Sequence, residues 1–334
     1  MKKSYYLFNP GRLSRKDNTL CFQPFDEEGN ELPVRYLPVE ATEELYVFGS
    51  LDANSALYNF LGKNDITVHF FDYHENYTGS FMPRDYLLSG KLLLAQVKAH
   101  QVPEKRIIIA RKFVEGAAYN MIKNLKYYQN RGKDTEPLIN LMESYITRIP
   151  EMRNTEELMG IEGNIRMNYY EAFNLILQGF EMGNRTKQPP LNEVNALISF
   201  GNMMCYSQCL RAIHQTQLNP VISFLHSPGE RRYSLSLDLA EIFKPILVDR
   251  VIFKVINKKE IRKEHFDINL NRCLLNVAGK KIFITAFEER LKETLQHRSL
   301  KRSVSYKHLI KLECFKLIKH ILEMEEYKPF KMWW

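Results

Sequence analysis

Hydrophobic and polar residues alternate with two different periods along this chain, and the change falls near residue 83. Before it, short aromatic and β-branched runs recur at residues 5–8, 20–25, 34–39, 45–48 and 66–71. Runs of that length and composition, bounded by turn residues, predict strands. Asn9-Pro10-Gly11, Glu28-Gly29-Asn30 and Tyr77-Thr78-Gly79 supply the turns. One helix is predicted among the strands, over residues 53–61, with Asp52 placed to cap it and Gly62 to stop it.

From Met82-Pro83-Arg84 onward, apolar positions return at helical spacing. Residues 86–102 predict a helix that Pro103 stops, and residues 107–128 a second, longer one. Further helices are expected at 135–148, 164–182, 191–215, 236–257, 280–296 and 303–323. The expected class is α+β. A small antiparallel β-sheet or sandwich domain occupies residues 1–83, and a larger all-α domain occupies residues 84–334. There is no internal repeat and no low-complexity tract.

Composition sharpens this picture in two places. With 334 residues, 45% of them hydrophobic, the chain can bury a large core and is not disordered. Its net charge of +8 is uneven. Residues 1–84 hold 8 Lys+Arg against 12 Asp+Glu, and the remainder holds 39 against 27. A positive excess confined to the helical part points to a polyanionic partner, with solvated lysines as the plain alternative. Cys21, Cys205, Cys209, Cys273 and Cys314 show no CxxC spacing, and an odd, scattered set fits a reducing compartment. Cys205 and Cys209 share a helical face, which suits buried thiols better than a metal. The apolar run after Lys3 ends at Asn9-Pro10-Gly11, too short for a signal peptide, and no run approaches a membrane span. A cytoplasmic protein without a membrane segment is expected.

Candidate chemistry gathers at Glu162, His226 and Glu241, with Asp238 beside the last. Asp238 and Glu241 are three apart on one predicted helix, so their carboxylates share a face. Apolar neighbours Leu235, Leu237, Leu239 and Ile242 keep them from being freely solvated, so they need a cation. That cation is either a divalent metal or one of Arg231, Arg232 and Arg250. His226 ends an apolar run ahead of Pro228-Gly229, at the lip of a loop. Glu162, between Gly160 and Gly163, reads as sitting at a helix entrance, where a carboxylate also favours the helix dipole. One imidazole with two or three carboxylates suits Mn²⁺ or Mg²⁺ better than a closed zinc cage.

The run Leu158-Met159-Gly160-Ile161-Glu162-Gly163, followed by Tyr169, Tyr170, Ala172 and Phe173, resembles the first ligand block of the CRISPR-associated adaptation integrases. The second block is similar as well: His226 and Pro228, then residues 234–241, then Val248-Asp249-Arg250. Residues 195–201 and 287–291 add further likeness, so the match is co-linear along the chain. The resemblance implies that Glu162, His226 and Glu241 ligate Mn²⁺ or Mg²⁺, with Asp238 a ligand or an outer group. It implies DNA endonuclease and integrase chemistry, in which a 3′-OH attacks a phosphodiester of a repeat. Double-stranded and branched DNA would be the substrates. It further implies a homodimer, with residues 1–83 as the dimerising domain. Two dimers would flank a dimer of a small ferredoxin-like partner nuclease in a hetero-hexamer. The competing readings are a non-catalytic DNA-binding scaffold and a hydrolase of small phosphoesters. Phosphate contacts are expected in two basic stretches: Arg250, Lys254, Lys258, Lys259, Arg262 and Lys263, then residues 298–319. The tail, residues 327–334, reads as packing, with partner docking the alternative.

Overall fold

In the computed structural model the N-terminal part runs β1 (Lys3–Leu7), β2 (Gly11–Lys16), β3 (Thr19–Pro24), β4 (Arg35–Pro38), β5 (Thr42–Val47) and β6 (Leu51–Asp52). Helix α1 (Ser55–Lys63), β7 (Thr67–Phe71) and β8 (Tyr77–Phe81) complete it. The structure describes residues 2–72, 76–83, 89–229, 233–269, 271–297 and 299–333. The strands form two four-stranded sheets, in the orders β1-β5-β7-β8 and β4-β3-β2-β6.

The sheets are mixed, not antiparallel as expected. β5 pairs in parallel with β1 and β7, and β2 with β6. The crossover through α1 explains the β5–β7 pair, because parallel neighbours need a long connection. Residues 77–79, read as a turn, lie in β8, which pairs antiparallel with β7 at the sheet edge. An edge strand tolerates Gly79 because little packs on it. β2 escaped the pattern because its inward positions are Gly11 and Leu13. A Cβ on Gly11 would lie 2.5 Å from the Phe22 ring, so glycine lets the strands close there. α1 is capped by Asn54, whose side chain accepts the Leu57 N–H, and Gly62 lies inside the helix. Leu7, Leu20, Phe22, Leu45, Val47, Leu61 and Val68 form the core of this unit.

The rest is built on α2 (Gly90–Gln101), α3 (Pro103–Gln129), α4 (Glu136–Arg148), α5 (Thr155–Ile176) and α6 (Glu193–His214). α7 (Ser234–Lys244), α8 (Arg250–Asn257), α9 (Val277–Lys292) and α10 (Tyr306–Ile321) follow. Arg84 and residues 86–88 of the helix expected over 86–102 lie outside the described residues. Pro103 opens α3 rather than merely stopping α2, since a first-turn N–H has no intrahelical partner to lose. Two hairpins correct the all-α expectation: β9 (Phe266–Asn269) with β10 (Arg272–Leu275), and β11 (Thr294–His297) with β12 (Arg302–Ser305). Four-residue strands are too short for periodicity to separate from loop.

Two helix boundaries matter for the site. The stretch expected as one helix over 236–257 breaks after Lys244 into a π-turn, Pro245–Asp249. Pro245 has no N–H for the preceding turn, and the backbone widens there. α5 starts nine residues before the expected 164, where the Asn154 side chain accepts the Glu157 N–H. Glu162 is therefore in mid-helix, not at an entrance. Buried Leu158, Ile161 and Ile165 offset the roughly 1 kcal/mol that each of Gly160 and Gly163 costs a helix. The contacts divide the chain into two units, residues 1–86 and 87–334. Among the described residues, no helix is long and apolar enough to cross a membrane.

Candidate active site

Three segments of the helical unit bring the sequence candidates together. On α5, Glu162 Oε1 accepts the Arg166 Nε–H at 2.6 Å, one helical turn away. Arg166 Nη2 reaches across to Glu241 Oε2 of α7, and Lys244 Nζ takes Glu241 Oε1. The two carboxylates therefore share one guanidinium. Of the expected partners, Arg231 and Arg232 lie outside the described residues, and Arg250 lies over Tyr127. The acid–base spacing of Glu162 and Arg166 was a usable signal in the sequence.

Asp238 is fully buried and has a different task. Oδ2 accepts the N–H groups of Phe224 and Leu225 at 2.6 and 3.0 Å. Oδ1 accepts the N–H and the ring Nδ1 of His226 at 2.9 and 2.8 Å. A carboxylate only accepts, so Nδ1 carries the proton and Nε2 is left able to coordinate. Asp238 thus acts through His226. The carbonyls of the same loop are held from the other side. Gln96 donates to Asn219 O and Ile222 O, His100 Nδ1 to Ser223 O and Arg106 Nε to Phe224 O. Gln96, His100 and Arg106 went unnoticed in the sequence, since nothing local links them to a loop more than a hundred residues away.

The end of α7 is braced as well. Asn120 Nδ2 donates to Ile242 O, beside Glu241, and Asn124 Nδ2 to Pro245 O. Asn120 also accepts the Met332 N–H and donates to Phe330 O, so the tail is docked on its own helical unit. A Cβ on Gly116 would lie 2.8 Å from the Pro329 Cβ, which explains that glycine.

Burial and charge compete here. Burial disfavours ionisation of Glu241, but Arg166, Lys244 and His226 outweigh it and hold the carboxyl below its ordinary range. Burial opposes protonation of His226, and the hydrogen bond and charge of Asp238 overcome that, raising its pKa. Behind the site, burial pushes the Asp249 carboxyl up to about 7, and its Oδ2 has no hydrogen-bond partner.

The donor set fits a divalent cation. His226 has its Nδ1 tied to a carboxylate, the usual support for a coordinating imidazole. Glu162 and Glu241 already converge on one positive centre. Among the described residues no three acidic, His or Cys side chains close up into a ready cage. Arg166 stands between the two carboxylates and supplies the positive charge. Cys205 and Cys209 are buried free thiols.

In the basic stretches, Lys254 pairs with Glu289, Lys316 with Glu313 and Lys319 with Glu325. Arg298 lies outside the described residues.

Residues 5–289 match the family described as CRISPR associated protein Cas1. A CRISPR-associated endonuclease Cas1 of Thermodesulfovibrio yellowstonii is 46% identical over 336 residues and covers 100% of both chains. The solved structure of a Cas1 protein from Thermotoga maritima superposes with a TM-score of 0.86 at 38% identity, covering 98% of this chain and 100% of that one. A casposase bound to integration product has the same fold, with a TM-score of 0.87 at 20% identity over 98% of this chain and 93% of its own. Full-length likeness at these identities settles the family: the chain belongs to the CRISPR-associated Cas1 proteins.

Proposed function

We propose that this chain is a metal-dependent DNA endonuclease and integrase of CRISPR adaptation, with Glu162, His226 and Glu241 as the ligands of one Mn²⁺ or Mg²⁺. The observation that carries the site is the meeting of Glu162 and Glu241 on one guanidinium, beside an imidazole whose Nδ1 is already engaged. The endonuclease names of its relatives and the fold it shares with a casposase bound to integration product support the reaction class.

In that reaction a DNA 3′-OH attacks a phosphodiester, and another 3′-OH leaves. The number of phosphodiester bonds is unchanged, so no nucleotide hydrolysis is needed. A bound divalent cation supplies charge to the phosphoryl oxygen and acidity to the attacking hydroxyl. The chain's own residues fix the geometry. Asp238 holds the His226 ring in one tautomer, and Gln96, His100 and Arg106 hold its loop. Asn120 and Asn124 hold the end of α7 beside Glu241. Arg166 and Lys244 neutralise the carboxylates when no other cation does. No protein nucleophile is required, so no covalent protein–DNA species is expected.

The acids pair with Arg166, as a non-catalytic DNA-binding scaffold would require, but the endonuclease relatives do not favour that alternative. Strand transfer of a short duplex into a repeat-containing plasmid separates the two. Metal-dependent products support the integrase; DNA binding without products in Mn²⁺ or Mg²⁺ supports the scaffold. The net acidic N-terminal unit is assigned to self-association, giving a homodimer with two active sites. A small ferredoxin-like partner nuclease and a hetero-hexamer belong to the same proposal. Light scattering tests the first part: a dimer is expected, and a monomer at micromolar concentration would refute it.

A further inference from the structure

Three arginines of the helical unit, none of them among the carboxylate–imidazole residues, lie on tyrosine rings. The Arg131 and Arg250 guanidinium carbons lie 3.8 and 4.8 Å from the centroid of one ring, Tyr127. Arg290 lies 4.1 Å from the centroid of Tyr306. Arg290 Nε donates to Ile246 O, one helical turn before Arg250, which sets the two arginines along the same stretch. Only Arg290 has an acidic partner, Glu293. Neither Arg131 nor Arg250 has a carboxylate partner among the described residues. Like charges gathered in this way repel, and tyrosine faces repay only part of the cost, about 0.5–2 kcal/mol per contact. Burial, and then the charge of Arg290, depress the Arg250 pKa, so the protein holds this charge at a cost. An anion placed among the three would remove that cost. Arg131 is exposed and Tyr127 is 36% exposed, so an anion can reach the cluster from solvent.

We propose that Arg131 and Arg250, mounted on Tyr127, form a binding site for backbone phosphates of the DNA substrate, with Arg290, whose guanidinium is engaged by Ile246 O, Glu293 and the Tyr306 hydroxyl, adding positive charge beside Arg250. Guanidinium forks suit phosphate oxygens, and stacking on an aromatic face fixes the fork before the ligand arrives. The inference deepens the DNA reading above and rests on it. It also separates Arg250 from its neighbour Lys254, which was placed in the same basic stretch but is engaged with Glu289.

The test is DNA affinity as a function of salt, by filter binding of a duplex to the full chain in EDTA, so that metal ligation plays no part. The variants are Arg131→Gln with Arg250→Gln, and Arg131→Lys with Arg250→Lys. Two lost phosphate contacts should flatten the slope of log K against log salt by ~1.8, at ~0.9 per contact, and weaken binding at low salt. The lysine pair should retain most of the slope, because charge carries this effect. An unchanged slope in a glutamine pair that remains folded by circular dichroism overturns the site. If the glutamine pair does not fold, the single Arg131→Gln variant decides, since its side chain is exposed: a slope flattened by ~0.9 supports the site, and no change of slope overturns it. Absence of DNA binding by the wild type would instead overturn the DNA reading itself.

Discussion

Both units bury an acidic side chain against a histidine, and they do it in different ways. In the N-terminal sheet, Glu44 on β5 takes the Ser4 hydroxyl at 2.8 Å and faces His69 Nε2 at 3.6 Å. Ser80 on β8 takes the other ring nitrogen, Nδ1, at 2.6 Å. Both nitrogens of His69 thus face side chains across the sheet, and its side chain is fully buried. In the helical unit, Asp238 takes only Nδ1 of His226, whose side chain is 21% exposed. The charged groups next to it, Glu162, Arg166 and Glu241, are held by each other. One arrangement ties a sheet together. The other leaves Nε2, an atom able to coordinate, on a partly exposed ring, among charges that Arg166 and Lys244 neutralise.

The comparison breaks most sharply at the proposed ligands. Glu162→Ala, His226→Ala and Glu241→Ala should each lower strand transfer more than ~100-fold, beyond the effect of an outer group, with DNA binding retained. Wild-type turnover in all three, measured in Mn²⁺, would remove the site. Asp238→Ala should cost less, ~10–100-fold, because it orients His226 without holding the cation. A loss as deep as that of His226→Ala would assign Asp238 a direct role. In the sheet, His69→Ala should lower stability by about 1–3 kcal/mol, by leaving a cavity where the buried ring stood and removing its hydrogen bond to Ser80, while turnover per folded molecule is kept. Turnover lost in fully folded His69→Ala would erase the distinction between the two histidines.

The smallest effect is one of pH. Asp249 has its pKa raised from the ordinary 3.8 to about 7 by burial. A carboxyl raised in the folded state binds more protons there than when unfolded, so its contribution to stability falls as pH rises between those values. Asp249→Asn should therefore melt higher than wild type at pH 8, by a few degrees, with the gap shrinking at pH 5. An equal gap at both values would contradict the assignment.

Much of this was legible beforehand. The change of period near residue 83 separated the strands from the helices, and Glu162, His226 and Glu241 stood out from their motifs. What escaped has physical causes. Strand direction depends on the α1 crossover, which local alternation does not encode. The break after Lys244 was signalled by Pro245, but the apolar spacing on both sides concealed it. Asn120, Gln96 and Arg106 brace the site through carbonyls of distant segments, a role that no local pattern records. Asp238 looked like a possible ligand from its spacing to Glu241; only the N–H groups of residues 224–226 reveal what fills it.

The central claim is that His226 Nε2 and the two glutamates meet on one divalent ion. Pulsed electron paramagnetic resonance of the wild-type protein with Mn²⁺ tests it directly. The account predicts a bound ion with coupling to one imidazole nitrogen, lost in His226→Ala, and weaker Mn²⁺ binding in Glu162→Ala and Glu241→Ala. Bound Mn²⁺ without nitrogen coupling, or with coupling that persists in His226→Ala, would contradict it.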